Sequence, residues 1–115
     1  MKLEFLFAPT SDLGASYALY RDHFGAEEVW REGETTIALR LPGSDVQLML
    51  DSNDADAPVG PLFIVESVAD FHQTRAAELE VVDEPSEIPG GSSATYRDPN
   101  GMTIYVMDQA TDAPE

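Results

Sequence analysis

The second half of this sequence follows the order of the first, and that repetition restricts the possible folds more than any single motif does. Ser11-Asp12-Leu13 aligns with Glu66-Ser67-Val68, and Phe24-Gly25-Ala26 with Leu79-Glu80-Val81, both at a separation of 55 residues. One residue further on, Leu48-Met49-Leu50 aligns with Ile104-Tyr105-Val106. Few residues are identical; what recurs is the succession of apolar runs, caps and turns. Self-similarity at this period marks an architecture of paired modules.

Each module can be read from its local pattern. Leu3 to Ala8 is a short apolar run with two phenylalanines, ended by Pro9, and reads as a strand. Thr10-Ser11-Asp12 offers side-chain oxygens to the unpaired amides of a helix start. Leu13, Ser16, Tyr17, Tyr20 and Phe24 then recur at helical spacing, and Gly25 closes the helix. Val29 and Trp30 lie in a strand turning at Glu32-Gly33-Glu34. Thr35 to Leu41 and Val46 to Leu50 alternate apolar and polar residues around a Pro42-Gly43-Ser44-Asp45 turn. After the polar stretch Asp51 to Gly60 the order returns. Leu62 to Val65 is a strand, and Ser67, with Asp70 three positions on, opens a helix carrying Val68, Phe71, Arg75 and Leu79. Glu80 to Glu84 and Ala94 to Arg97 are weaker strands. The loop between them contains Pro89-Gly90-Gly91, which with Ser92-Ser93 reads as a flexible segment or a lid. Asp98-Pro99-Asn100-Gly101 is a turn, and Met102 to Met107 is the last strand.

The expected fold class is therefore α+β: two tandem βαβββ modules forming a curved mixed sheet, with helices outside and a concave face free for a ligand. One domain is expected over 1–115, with module one at 1–52, a linker at 53–60, module two at 61–109 and a frayed tail at 110–115.

Composition removes several function classes. The chain has no cysteine, which excludes disulfides, thiolate metal sites and a cysteine nucleophile. Twenty-two acidic residues face six basic ones, for a formal charge of −16, so nucleic acid and anionic membranes are not expected partners. A solvated acidic surface is the plain reading of that charge, and a cationic ligand would be drawn to it. No run approaches the ~20 apolar residues of a membrane span, and the N-terminus carries no export signal; a cytoplasmic location is expected. No nucleophile elbow, P-loop or dinucleotide fingerprint occurs.

Two segments resemble those of a known family. Asp12-Leu13-x-x-Ser16-x-x-x-Tyr20-Arg21-Asp22-His23-Phe24-Gly25 resembles the "D-L-x-x-S-x-x-F-Y-x-x-x-L-G" signature of the vicinal oxygen chelate superfamily. Tyr96-Arg97-Asp98-Pro99-Asn100-Gly101-Met102 resembles its "f-x-D-P-d-G-n" segment. The superfamily includes glyoxalase-type lyases, extradiol dioxygenases, fosfomycin-inactivating thiol transferases and bleomycin-binding resistance proteins, so the resemblance implies a fold and a menu of functions. Its enzymes hold a divalent metal on the concave face with His, Gln and Glu side chains. The resemblance places those ligands at Phe5, at Gly60 (Phe63 if Asp70 were the cap), at Tyr105, and at Met49 or Leu48. None of these is a usual ligand. His23 and His72 fall on the helices, where an exposed or capping histidine is the plain reading. Glu4 should point away from Phe5, and Gln47 alone would be an insufficient ligand set. No metal and no other cofactor is expected.

Aromatic and methionine side chains occupy those places instead. Ligand contacts are expected from Phe5, Phe7, Trp30, Gln47, Met49, Tyr96, Tyr105 and Met107, lining a hollow suited to a flat apolar molecule. Positive charge on that molecule would be favoured by the rings and the acidic surface. Three readings follow. The first is a metal-free sequestering protein of the bleomycin-resistance type. The second is a divergent lyase or dioxygenase, or an enzyme working without metal through Tyr105 or Tyr96. The third is an interaction module whose hollow is filled by its own side chains. A homodimer is expected, since pairing would cover sheet edges.

Overall fold

A computed structural model describes residues 1–109; the tail expected to fray, 110–115, lies outside the described residues. The chain divides into two compact units, Glu4–Val59 and the part from Gly60 onward together with Met1–Leu3.

In the first unit the order is β1 (Lys2–Pro9), α1 (Leu13–His23), β2 (Glu27–Glu32), β3 (Thr36–Arg40) and β4 (Gln47–Asp51). The strands lie in the order β2-β3-β4-β1; β1 runs parallel to β4 and the other pairs are antiparallel. Asp12 caps α1, its Oδ1 accepting the Ala15 N–H at 3.0 Å. At the far end Phe24 and Ala26 both donate to the Tyr20 carbonyl, a geometry that Gly25 permits with its φ of 72°. Leu13, Tyr17 and Tyr20 lay the helix on Ala26, Ile37, Leu39, Leu48 and Leu50, as the helical spacing implied. Phe24 departs from that stripe: it is 51% exposed and only leans on Tyr20.

The second unit runs β5 (Gly60–Ile64), α2 (Val68–Thr74), β6 (Glu80–Ile88), β7 (Gly91–Arg97) and β8 (Thr103–Asp108), with strand order β5-β8-β7-β6. Again the first strand runs parallel to the last, and the others are antiparallel. Ser67 caps α2 by accepting the Asp70 N–H at 3.1 Å. Behind it, Asp108 Oδ2 accepts the Val68 N–H at 2.6 Å, a carboxylate placed against the positive end of the helix.

Three expectations need correction here. α2 stops at Thr74, because Arg75 turns to an extended backbone (φ −65°, ψ 155°), so Arg75 and Leu79 lie beyond the helix. Leu79 nevertheless packs on the core formed by Val68, Ala94, Tyr96 and Val106. β6 is longer than its sequence suggests, and its register shifts between Asp83 and Ser86, where Pro85 has no N–H to give the ladder. The segment read as a loop or lid is instead the start of β7: Gly91 pairs with Ile88 and Ser92 with Asp108. Gly91 is buried, and a Cβ there would run into the Asp108 carbonyl oxygen.

Candidate functional site

Strand pairing decides which side chains share a face, because directly opposed residues point the same way. In the first unit, Phe5 pairs with Gln47 and Phe7 with Met49 along β1 and β4. Met49 pairs with Ala38, Ala38 with Trp30, and Asp51 with Thr36. These residues occupy the face turned away from α1, whose own face carries Ile37, Leu39, Leu48 and Leu50. The five first-half candidates, Phe5, Phe7, Trp30, Gln47 and Met49, are therefore brought together. Phe5, Gln47 and Met49 are 8%, 7% and 8% exposed. Trp30 and Phe7 are half-buried.

The tryptophan reaches this face through an irregularity. Glu28 opposes Leu39 and Trp30 opposes Ala38, so Val29 is an extra residue in β2. Such a bulge re-aims the side chain that follows it. Trp30 meets Phe5 edge to face, with ring centroids 6.0 Å apart and planes at 81°. Ala38 places only a methyl group between Trp30 and Met49. Neither the bulge nor Ala38 was visible as a site feature in the sequence, since both emerge only from the β2–β3 register.

Besides Thr36, two polar groups share the face, and they differ. Asp51 is buried and held: Thr36 Oγ1 donates to its Oδ1 at 2.7 Å, and Asn53 Nδ2 donates at 3.1 Å. Gln47 Oε1 is buried and meets no donor.

In the second unit Tyr105 pairs with Leu62 and Thr95, and Met107 with Ile64 and Ser93. Tyr105 and Met107 thus lie on the face away from α2, accompanied by the hydroxyls of Thr95 and Ser93, which sequence reasoning did not single out. Tyr96 corrects the expected site. It pairs with Ile104 and Val81, is fully buried on the helix side, and packs against Phe71 at 5.5 Å between ring centroids. Its hydroxyl lies 2.8 Å from His72 Nδ1, and burial pushes its pKa above the ordinary phenol value. A ligand on the other face of the sheet cannot touch it. The signal was present in the Asp98–Gly101 turn: Asp98 Oδ1 accepts the Asn100 and Met102 amides at 2.9 Å, setting β7 against β8 so that Tyr96 opposes Ile104 instead of Tyr105.

His72 is likewise not a free surface group. It is half-buried, with Nε2 3.3 Å from Glu84 Oε1 and Nδ1 on Tyr96, while His23 is exposed in the last turn of α1. Among the described residues no three His, Asp or Glu side chains converge on one point.

The caps and ladders also select the register of the metal positions that the resemblance implied. Asp12 and Ser67 are the two caps, which picks Gly60 over Phe63 as the partner of Phe5. The pairs Phe7–Met49 and Leu62–Tyr105 pick Met49 over Leu48. The four positions then offer a phenyl ring, a thioether, a phenol and no side chain at all. Gly60 has no room for one: the Thr103 carbonyl oxygen stands where a Cβ would go, and the Tyr105 ring would lie 3.4 Å away. Neither the phenyl ring and thioether of the first unit nor the phenol and bare glycine of the second match the imidazole, carboxylate or amide ligands that the resemblance implies for a divalent cation.

A family model for the Glyoxalase/Bleomycin resistance protein/Dioxygenase superfamily matches residues 2–106. No curated protein matches the sequence. Among solved structures, the chain is similar to NAD-dependent benzaldehyde dehydrogenase from Legionella pneumophila, with TM-score 0.76 and 14% identity over 91% of this chain and 97% of that one. It is also similar to methylmalonyl-CoA epimerase from Mycobacterium tuberculosis, with TM-score 0.69 and 18% identity over 98% and 89%. A glyoxalase/bleomycin resistance protein/dioxygenase superfamily member from Vibrio splendidus 12B01 gives TM-score 0.59 and 15% identity over 90% and 95%. At these identities the likeness establishes a shared fold.

Proposed function

The chain belongs to the Glyoxalase/Bleomycin resistance protein/Dioxygenase superfamily, and from that membership we propose that it is a metal-free binding protein that sequesters a small aromatic molecule. The observation carrying this reading is the content of the four metal positions: Phe5 and Met49 lie on an aromatic face, Tyr105 is a phenol, and Gly60 is closed to any side chain. Residues that would bind and activate an oxygen are replaced by residues that stack and adapt. Trp30, Phe5 and Phe7 supply flat surface, and Met49 supplies a thioether that conforms to an irregular edge. Tyr105 and Met107 give the second unit a smaller surface of the same character. The charge of −16 concentrates cations near the protein, so a ligand bearing positive charge arrives faster at low salt. Resistance to a toxic natural product by sequestration in the cytoplasm is the physiological role that fits this chemistry. The expected homodimer is tested by sedimentation equilibrium at micromolar concentration, where a pure monomer contradicts it.

The decisive experiment follows Trp30 fluorescence in chelator-treated protein during titration with cationic and planar aromatic natural products. Saturable quenching without metal supports sequestration. A response that appears only after adding a divalent metal overturns it in favour of a metal-dependent enzyme.

A further inference from the structure

Gln47 Oε1 is the described side-chain atom that is buried without a hydrogen-bond partner. A buried carbonyl that accepts no proton is a cost to the folded state, and such groups are rare. The surroundings explain why the protein does not satisfy it. Its opposite neighbour on β1 is Phe5, and Met49 stands two residues along on the same face; neither carries a donor. The Thr36 hydroxyl stands opposite Asp51, four residues along β4 from Gln47, and is bonded to that carboxylate. Arg40 is exposed at the end of β3 and makes no bond to it, and Trp30, set against Phe5, makes none either.

Resting on the sequestration reading, we infer that this face selects planar aromatic molecules with an N–H or O–H donor on the ring edge, and that Gln47 Oε1 is the acceptor. The aromatic and thioether groups take any flat apolar molecule of suitable size. The unpaired carbonyl discriminates, because a ligand without a donor leaves it unmatched and a ligand with one removes the cost. Water does not reach the oxygen in the ligand-free state, so the ligand enters by local repacking. Met49, unbranched with three rotatable bonds, and half-buried Trp30 are the side chains that give way.

The test compares indole with benzofuran, which has the same shape but an oxygen in place of the N–H. Titration calorimetry on chelator-treated protein should show indole binding about ten-fold tighter. In Gln47→Met the preference should vanish, with indole and benzofuran binding equally. The melting temperature of this variant should hold or rise, since an unmatched polar atom has been removed. Equal binding of the two probes to the wild-type protein overturns the acceptor role while leaving sequestration intact. Binding of neither probe overturns both. A fall of several degrees in melting temperature shows that the amide is satisfied within the protein, and also overturns the acceptor role.

Discussion

The two units use one backbone plan with different side chains, and the differences are confined to particular positions. Both begin with a strand, cap a helix at the same distance along the chain (Phe5 to Asp12, Gly60 to Ser67), and close with a last strand parallel to the first. On the face away from the helix, the first unit carries Phe5, Gln47 and Met49, all with buried side chains. At the matching places the second unit carries Gly60, Thr103 and Tyr105, and there β5 comes so close to β8 that Gly60 admits no side chain. On the helix face the contrast reverses. Leu39 is a plain apolar core residue, whereas its counterpart Tyr96 brings a hydroxyl into the core, where it is hydrogen-bonded with His72. The ladder and caps are thus common to both halves, while ligand chemistry is concentrated in the first and core polarity in the second.

The most severe test of this comparison puts histidine at both matching positions. Gly60→His should prevent folding or cost about 4 kcal/mol or more, because the clash is with the Thr103 backbone and cannot be relieved by a rotamer change. Phe5→His should fold with a loss of about 2–3 kcal/mol, the cost of exchanging a buried phenyl for a polar ring. Urea unfolding measures both, and a cooperatively folded Gly60→His protein contradicts the close approach of β5 and β8.

A milder pair addresses the core. Tyr96→Phe should cost about 1–1.5 kcal/mol, since it deletes the hydrogen bond to His72 and leaves the half-buried imidazole nitrogen to find water. Equal stability of this variant and the wild type would show that the hydroxyl is a passenger, as it would be in the Leu39 position.

The same tyrosine makes the alkaline limb of stability asymmetric between the units. Burial raises the Tyr96 pKa in the folded state. As pH climbs past about 10, the unfolded chain releases that proton while the folded chain retains it, so the unfolded state binds fewer protons and stability falls. Tyr96→Phe should flatten this decline between pH 9 and 11, as read from urea midpoints. An unchanged slope would mean that the phenol is not shielded.

The smallest effect is expected at the exposed ion pairs, Arg31–Glu28 in the first unit and Arg97–Glu80 in the second. Arg31 holds the Glu28 carboxyl below its usual range. Side chains this exposed are screened by solvent, so Arg31→Ala and Arg97→Ala should leave the urea midpoint unchanged. A clear shift in one of them would mark that pair as part of a larger contact.

Much of the fold was legible because its signals are local. Asp12 and Ser67 announce helix starts through their own side chains, and Gly25 announces a helix end. The alternation within Thr35 to Leu41 and Val46 to Leu50 marked two strands, and Ile37, Leu39, Leu48 and Leu50 from them make the first core. Errors appeared where distant pairing overrides local preference. Gly91 to Ser93 look like a loop until β6 and β8 pair with them, and Arg75 looks helical although its own backbone is extended. Phe5, Phe7, Gln47 and Met49 fell on one face because β1 and β4 alternate cleanly, and Trp30 joined them only through the bulge in β2. Tyr96 did not, because β7 offered no alternation strong enough to show its register.

The sequence by itself determined the paired modules, the caps, the exclusion of thiolate chemistry and the replacement of every implied metal ligand. Only the tertiary structure decided which side of β7 Tyr96 occupies, that a bulge at Val29 aims Trp30 towards Phe5, that Gly60 is sealed, and that Gln47 lacks a partner. Strand side chains alternate with a period of two, so a shift of one residue moves a side chain to the opposite face, and that register is set by a turn and a neighbouring strand rather than by the residue itself.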